Sequence, residues 1–459
     1  MSKDNIWNFS DEVKYSFKLK QGLSEDVVRQ ISMSNSEPDW MLDLRLKALE
    51  IFNKKPMPTW WPNLSKLDLD SIYYFAKPEG AWEHKTWDQV PENIKTTFDK
   101  LWIPEAEKKV LAWVWAQYDS EVVYHNLKEE LVEKWVIFED MNIALNKYPE
   151  LVKEYFTKCI PISDHKFSAL HYAVWSWWTF LYIPVWVKID EPLQSYFRMN
   201  VKSGWQFEHT IIILEEDSNA HYIEWCSAPK YDSNSLHAWA VEIFVWKNAK
   251  MRYSSVENWS LDTYNLNTKR AIIKENWFIE WVSGNMWSNT TMLYPCSVLL
   301  WDNSKAEHLW LAFANDWQNQ DTWAKVIHIG KNTSSNVISK SISKWNWIST
   351  YRWLVDIKEW AINSISKVDC DWLLIDDNSV SDAIPVIKVN NISSVVAHEA
   401  SAWKISEEKL FYLKSRWISE EEANKMIVNW FLSPVMKELP LEYASEMNVL
   451  IGMEFENWI

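Results

Sequence analysis

The sequence predicts a mainly β protein whose β region lies between two polar, helical ends. Short alternating runs recur through the middle of the chain, at residues 210–214, 240–246, 250–256, 325–329 and 337–342, and alternation means one face in and one face out. Turn residues punctuate many of the intervals, and few helical patterns intervene. Helix formers with apolar residues at i, i+3 and i+4 occupy both ends. A sandwich, a barrel or a β-solenoid all fit, because no repeat of fixed length is visible.

Residues 1–155 form the first zone, expected to be a helical domain. Within it, 106–127 and 127–148 predict helices, and Pro56, Pro58 and Pro62 mark an irregular loop. Residues 156–395 form the β core. Its most apolar stretch, 173–187, predicts strand–turn–strand around Pro184 and is too short and interrupted to span a bilayer. Residues 396–459 are helical again. Ser419 and Glu422 form a capping box, and Ala423, Met426, Ile427 and Trp430 follow at helical spacing, with Pro434 and Pro440 punctuating what comes after. Such a stripe is either core or a docking face.

Composition holds an inversion. The 459 residues include 35 Trp and only 6 Gly, where glycine usage of roughly 7% would give about 32. The positions agree with an exchange. Trp246-Lys247-Asn248-Ala249 and Gly330-Lys331-Asn332-Thr333 look like one turn written two ways. Asn346-Trp347, Asp316-Trp317 and Asp371-Trp372 read as the Asn-Gly and Asp-Gly of tight turns. Trp417 stands where a C′ glycine belongs, before Ile418. The expectation is a gene in which UGA encodes glycine, translated here as Trp, and a Trp-bearing chain that does not fold. Trp177, Trp178, Trp186 and Trp225 also read as glycine, whereas Trp40, Trp60, Trp87, Trp175, Trp259 and Trp281 sit in apolar or aromatic contexts that suit tryptophan.

Net charge of −16 and a pI near 5.2 argue against nucleic acid as the main partner. Cys159, Cys226, Cys296 and Cys370 are far apart and form no C-x-x-C pair, so neither a disulfide framework nor a zinc pattern is expected. Together with a charged N-terminus, this predicts a soluble cytoplasmic protein with no membrane association. Phosphate-loop, zincin and nucleophile-elbow motifs are missing, even with every Trp read as Gly. The paired acids of a β-solenoid carbohydrate-active enzyme are not visible either.

What remains is a thiol and a carboxylate–imidazole pair. Cys226, in Tyr222-Ile223-Glu224-Trp225-Cys226-Ser227-Ala228-Pro229, follows a strand at a bend if Trp225 is glycine. A thiolate there can accept sulfur or bind a soft metal, and the alternative is a buried cysteine acting as a small hydrophobe. His398 and Glu399 adjoin the C-terminal helices and read as ligands or as surface groups. Arg198, Asn200 and Lys269 lie in or near strand-like runs.

With Trp as Gly, 222–229 reads YIEGCSAP. Together with Tyr196 to Asn200, Gln206-Phe207-Glu208, Val256 to Trp259, Thr268-Lys269-Arg270, His328 to Thr333, Tyr351 to Val355, His398-Glu399-Ala400, Ile418 to Ala423 and Glu37 to Leu42, it resembles the SufB/SufD family of the SUF iron–sulfur cluster assembly system, and within it the SufB scaffold branch. The resemblance implies a right-handed parallel β-helix between helical domains, and a non-enzymatic scaffold. It implies pairing with a SufD-like paralogue or with itself, and a SufC-like ATPase docked on the C-terminal helices. A desulfurase with a SufE- or SufU-like carrier would supply sulfur. By the same resemblance Cys226 accepts persulfide sulfur. Arg198, Asn200, Trp259 and Lys269 line a sulfur path, with the two cations stabilising the sulfur anion. Glu399 and His398 serve as iron and nascent-cluster ligands, and Cys370 is a further candidate. Cys159 and Cys296 read as structural. Some members carry a second essential cysteine near the position of Val389, absent here. A reduced flavin, associated with some complexes of the family, has no sequence signature. Within the family the other reading is a SufD-like structural subunit.

Overall fold

The computed structural model describes residues 15–59, 62–78, 113–118, 121–127, 129–176, 179–198, 205–227, 235–259, 263–286, 288–314, 318–343, 348–376, 378–437 and 444. Beside a small antiparallel pair, β1 (Tyr15–Lys18) and β2 (Ala76–Pro78), its centre is a parallel β-solenoid. One nine-stranded sheet contains β5 (Ile137–Asp140), β6 (Thr179–Ile183), β8 (Trp205–Leu214), β10 (Ser235–Val245), β12 (Thr263–Ile273), β14 (Thr290–Leu299), β16 (Asn319–His328), β18 (Ile348–Ile357) and β20 (Val380–Val389). The facing ten-stranded sheet contains β3 (Trp113–Tyr118), β4 (Glu121–Leu127), β7 (Leu193–Arg198), β9 (Asn219–Ser227), β11 (Lys250–Asn258), β13 (Phe278–Met286), β15 (Lys305–Ala314), β17 (Ser334–Ser343), β19 (Ile365–Leu374) and β21 (Val395–Lys404). From β8 onward the chain alternates between the sheets, and each strand pairs in parallel with the strand two further on.

A repeat does exist, written in backbone conformation. One corner of each coil carries a residue in the left-handed region: Asp217, Asn248, Asn276, Asn303, Asn332 and Asn363, at intervals of 31, 28, 27, 29 and 31 residues. Asn and Asp tolerate that conformation because a short polar side chain bonds locally. The asparagines also stack, Asn303 Nδ2 donating to Asn276 Oδ1 at 3.0 Å. The two turns matched in the sequence, at Asn248 and Asn332, are equivalent corners, and Trp301-Asp302-Asn303-Ser304 is a third. Gly330 is required by contact: a Cβ there would stand 2.1 Å from the backbone carbonyl of Trp301 in the coil below.

Alternation divides the strands cleanly. Inward residues such as Ile212, Leu214, Val241, Val245, Ile273, Met251 and Ile279 fill the lumen near the asparagine corner. Outward residues of β8, β10 and β12 (Phe207, Ile211, Ile213, Leu236, Ala238, Phe244 and Tyr264) lie under a helical layer. That layer comprises α1 (Glu25–Ser34), α2 (Asp39–Lys54), α4 (Met141–Lys147), α5 (Pro149–Tyr155) and α6 (Lys166–Val174), with the short α3 (Glu129–Glu133) preceding β5. Ser24 caps α1 by accepting from Val27 N at 3.3 Å. A buried pair ties α2 to α6: Arg45 Nε donates to Glu37 at 2.7 Å, and its Nη2 reaches Trp175 O at 2.8 Å.

Several expectations change. The helix expected over 106–127 is replaced at 113–127 by the antiparallel pair β3–β4, because β-branched and aromatic residues there find a partner in β7. Residues 106–112 lie outside the described residues. The helix over 127–148 breaks into α3, β5 and α4, with Trp135 in the left-handed region at φ 61°. In 173–187, the first residues finish α6; β6 and a turn closed by Val187 N to Pro184 O follow. Asp371-Trp372 is no turn: both residues lie within β19, where Trp372 is buried. Asn346-Trp347 and Asp316-Trp317 lie outside the described residues. Strand structure continues past 395, through β21 to Lys404, before α7 (Glu407–Lys414) and α8 (Glu420–Met436). Pro434 sits inside α8 rather than ending it.

The C-terminal end of the solenoid is open. β20 and β21 are terminal strands, and Ile384, Val386, Ile387, Val389 and Val395 are exposed on them. Among the described residues no helix is long and apolar enough to cross a membrane.

Candidate functional site

Toward the corner opposite the asparagine turns, the lumen changes character. The inward positions of β8, β10 and β12 become Glu208, His237, Asn265, Asn267 and Lys269, and those of β9 and β11 become Glu224, Cys226, Ser255 and Glu257. All are buried. The period-two pattern that places isoleucine and valine inside at one corner places these polar groups inside at the other.

Register explains which groups meet. His237 is directly paired with Asn265 across β10–β12, and His237 Nδ1 lies 2.8 Å from Asn265 Oδ1. His237 Nε2 lies 2.7 Å from Glu208 Oε2. Cys226 is paired with Glu257 across β9–β11. Glu257 accepts from Lys269 Nζ at 3.2 Å, from Asn267 Nδ2 at 3.1 Å, from Asn265 Nδ2, and from Trp259 Nε1 at 3.4 Å. Trp259 lies over His237 with ring centroids 4.2 Å apart. Glu224 accepts from the Tyr253 hydroxyl. Ligand atoms of Glu208, Cys226 and His237 lie within 4.8 Å of one another.

Lys269 does not offset the burial of the Cys226 thiol: burial, followed by the Glu208, Glu257 and Glu224 carboxylates, raises it well above the ordinary range, and Lys269 lowers it by less. Lys269 is instead committed to Glu257 and to Ser255 Oγ at 3.0 Å, with its ammonium 4.3 Å from the Trp239 ring. Burial also raises the Glu208 carboxyl, against the opposing pull of His237. Nor does Cys226 stand at a bend: it lies within β9, one residue before its end.

Cys226, Trp259 and Lys269 are therefore brought together. Arg198 ends β7, paired with Ser227 beside Cys226; Asn200 lies outside the described residues. Glu399 and His398 are elsewhere, on β21. Six strand spacings in one sheet separate β9 from β21, roughly 29 Å at about 4.8 Å per strand. As consecutive strand residues His398 and Glu399 face opposite ways. His398 packs on the lumen ring of Trp353 at 4.6 Å between centroids, and Glu399 is paired with Asp369 on the outer face. They do not converge on one point. Cys370 is buried in the lumen on β19, paired with Ala400. Val389, where a cysteine is absent, is exposed on β20. Cys159 and Cys296 are buried beside Arg270 on the outer face, Cys159 Sγ lying 3.1 Å from Arg270 O.

Sequence reading missed Glu208, His237, Glu257 and Asn265. The available signal was polar residues at alternate positions of adjacent β runs, where a core strand should carry aliphatics. The three buried carboxylates offer no acid pair to a polysaccharide, since all are sealed from solvent.

The sequence matches the family model described as SUF system FeS cluster assembly, SufBD core domain, over residues 197–431. An iron–sulfur cluster assembly SufBD family protein of Staphylococcus haemolyticus is 51% identical over 458 residues, covering 99% of this chain and 98% of the relative. Relatives of the same description in Staphylococcus epidermidis and Staphylococcus aureus are each 50% identical over 456 residues, with 99% and 98% coverage. The chain belongs to the SufBD family of iron–sulfur cluster assembly proteins.

Proposed function

We propose that this chain is a SufB-type scaffold that takes up sulfur at Cys226 and supports cluster assembly at the open end of its solenoid. The observation that carries the reading is the placement of Cys226 in a sealed chamber with Trp259, Lys269 and Glu257, where charged side chains replace the aliphatics that fill the lumen at the asparagine corner. A structural subunit would gain nothing from burying three carboxylates and a lysine there, since such groups cost more than aliphatics of equal volume.

In the uptake step the Cys226 thiol loses its proton to a neighbouring carboxylate. Its sulfur attacks the terminal sulfur of a donor persulfide, the donor S–S bond breaks, and the donor leaves as a thiolate.

Sulfur then moves along the lumen toward β19–β21, where Cys370 and His398 face inward. The nascent cluster is cargo at that end, ligated by His398, Glu399 or both, with a paralogue or second copy supplying the remaining ligands. The exposed edges of β20 and β21 favour such a partner, since unpaired apolar edges are otherwise covered. A groove between α7 and α8, lined by Tyr412, Leu413, Met426, Ile427 and Trp430, suits an ATPase subunit. The buried stripe of α8 is Ala423, Val428, Phe431, Leu432 and Val435, leaving Met426 and Trp430 exposed. The protein works in the cytoplasm, with ATP hydrolysis in its partner.

The test is peptide mass analysis after exposure to a cysteine desulfurase and cysteine, beside cluster reconstitution on the assembled complex. One added sulfur on Cys226, and loss of both sulfur uptake and cluster yield in Cys226→Ser, supports the reading. Full yield from Cys226→Ser favours the SufD-like subunit.

A further inference from the structure

We propose that Glu208, Cys226 and His237 form a binding site for a single divalent, thiolate-tolerant cation, ferrous iron in the setting of this family. Three features carry it. Carboxylate, thiol and imidazole come from three strands, β8, β9 and β10, and their ligand atoms lie within 4.8 Å of one another. Ligands bound to a tetrahedral ion at ordinary distances stand roughly 3.3–3.6 Å apart, so modest side-chain rotations close the site. Glu208 Oε1 is buried with no hydrogen-bond partner, in a residue only 1% exposed; an orphan carboxylate oxygen at that depth normally has an occupant. The imidazole is already oriented: Nδ1 is held by Asn265 Oδ1 at 2.8 Å, which turns Nε2 toward Glu208 and Cys226. An imidazole fixed through its second nitrogen is the usual support of a metal-bound histidine.

Charge balance favours a dication. Thiolate, carboxylate and neutral imidazole total −2 against the +2 of the ion. The Lys269–Glu257 pair beside it is separately neutral. One sulfur, one nitrogen and one oxygen select ferrous iron, cobalt or zinc over magnesium or calcium. Three protein ligands leave a fourth position for an exogenous ligand such as sulfide.

The site shares Cys226 with sulfur uptake, so an ion there and a persulfide on Cys226 exclude one another. It rests on ligand geometry alone and stands even where sulfur uptake fails. The test is anaerobic titration of the full chain with cobalt(II), followed by absorption. Expected are one ion per chain, a sulfur-to-cobalt charge-transfer band, and displacement by ferrous iron. Cys226→Ser removes the band. The near-isosteric Glu208→Gln, and His237→Ala, each weaken binding at least tenfold, while His398→Ala with Glu399→Ala leaves the band intact. Circular dichroism checks that each variant is folded. An unaltered band in Cys226→Ser, undiminished affinity in folded Glu208→Gln, or no cobalt bound by the wild-type chain overturns the site. Persulfide labelling of Cys226 separates the two readings: cobalt binding without labelling leaves the ion site standing, and labelling without cobalt binding leaves only sulfur uptake.

Discussion

Lys269 Nζ stands 3.2 Å from Glu257 Oε1 with both side chains fully buried. The pair joins the two sheets across the lumen and fixes the chamber around Cys226. Replacing Lys269 by Met leaves Glu257 as an uncompensated buried charge. The expected loss is about 3–5 kcal/mol of folding stability. Adding Glu257→Gln removes that charge and recovers more than half of the loss, although asparagine donors then lack their acceptor. Urea unfolding of the two single variants and the double variant measures this; an additive double variant contradicts the coupling.

Glu242 plays the equivalent part outside the lumen. Its carboxylate accepts from Thr157 N at 2.9 Å, Ile160 N at 2.9 Å, Cys159 N at 2.6 Å, Tyr172 Oη at 3.0 Å and His209 Nε2 at 3.1 Å. It pins the loop before α6, and α6 itself, to the outer face of β10. Glu242→Ala is expected to cost at least about 3 kcal/mol, since several buried donors lose their partner. Hydrogen exchange should show the helical layer, including α6, losing protection while β13–β19 keep theirs. Uniform loss across both would mean that the layer and the solenoid unfold as one unit.

The β core was legible because alternation is a local signal: residues 210–214 and 240–246 read as strands and fall in β8 and at β10. The capping box at Ser419 and Glu422 was legible for the same reason, and both of its hydrogen bonds form. The choice of a solenoid was hidden from the residues alone because its repeat drifts between 27 and 31 residues and is marked by single asparagines such as Asn276 and Asn303. The chamber was half legible. Cys226, Lys269 and Trp259 stood out, whereas Glu208 and His237 acquire meaning only when β8 and β10 lie side by side. The opposite facing of His398 and Glu399 could have been read from strand alternation, but required β21 to be recognised as strand rather than as the start of the helical end.

Trp135, Trp186 and Trp417 occupy the left-handed region at φ 61°, 64° and 64°, and all three are exposed. This is the conformation in which glycine is free and a side chain costs about 1–2 kcal/mol. The indole nitrogens of Trp277, Trp310 and Trp353 are buried without a partner, as is that of Trp175, read as a true tryptophan; Trp281 donates to Ser297 Oγ at 3.0 Å and Trp186 to Asp217 Oδ2 at 3.1 Å, so indole bonding does not separate the two readings. Glycine at the first group of positions, from UGA, is the expected native residue. Peptide masses from the natural host should fit glycine at 186 and 417. In the Trp-bearing chain, Trp186→Gly and Trp417→Gly should each stabilise by about 1 kcal/mol. Tryptophan masses from the host, or destabilisation by these replacements, refute the recoding.

His308 and His328 are sealed in the lumen, and burial lowers their imidazoles to about 3 and about 4. The fold therefore holds them neutral. Unfolded, each takes up a proton as pH falls below about 6.5. A folded pKa below the unfolded one means stability that is complete above pH 6.5 and is lost progressively down to the folded values. Each histidine then contributes roughly 3–5 kcal/mol of acid lability by pH 3. His308 Nε2 contacts Ser297 Oγ at 2.9 Å, which a glutamine amide can replace. His308→Gln is expected to flatten the fall in melting temperature between pH 6.5 and 4 while leaving stability at pH 8 within about 1 kcal/mol of the parent. A pH profile unchanged by that substitution would mean that His308 does not carry the acid sensitivity.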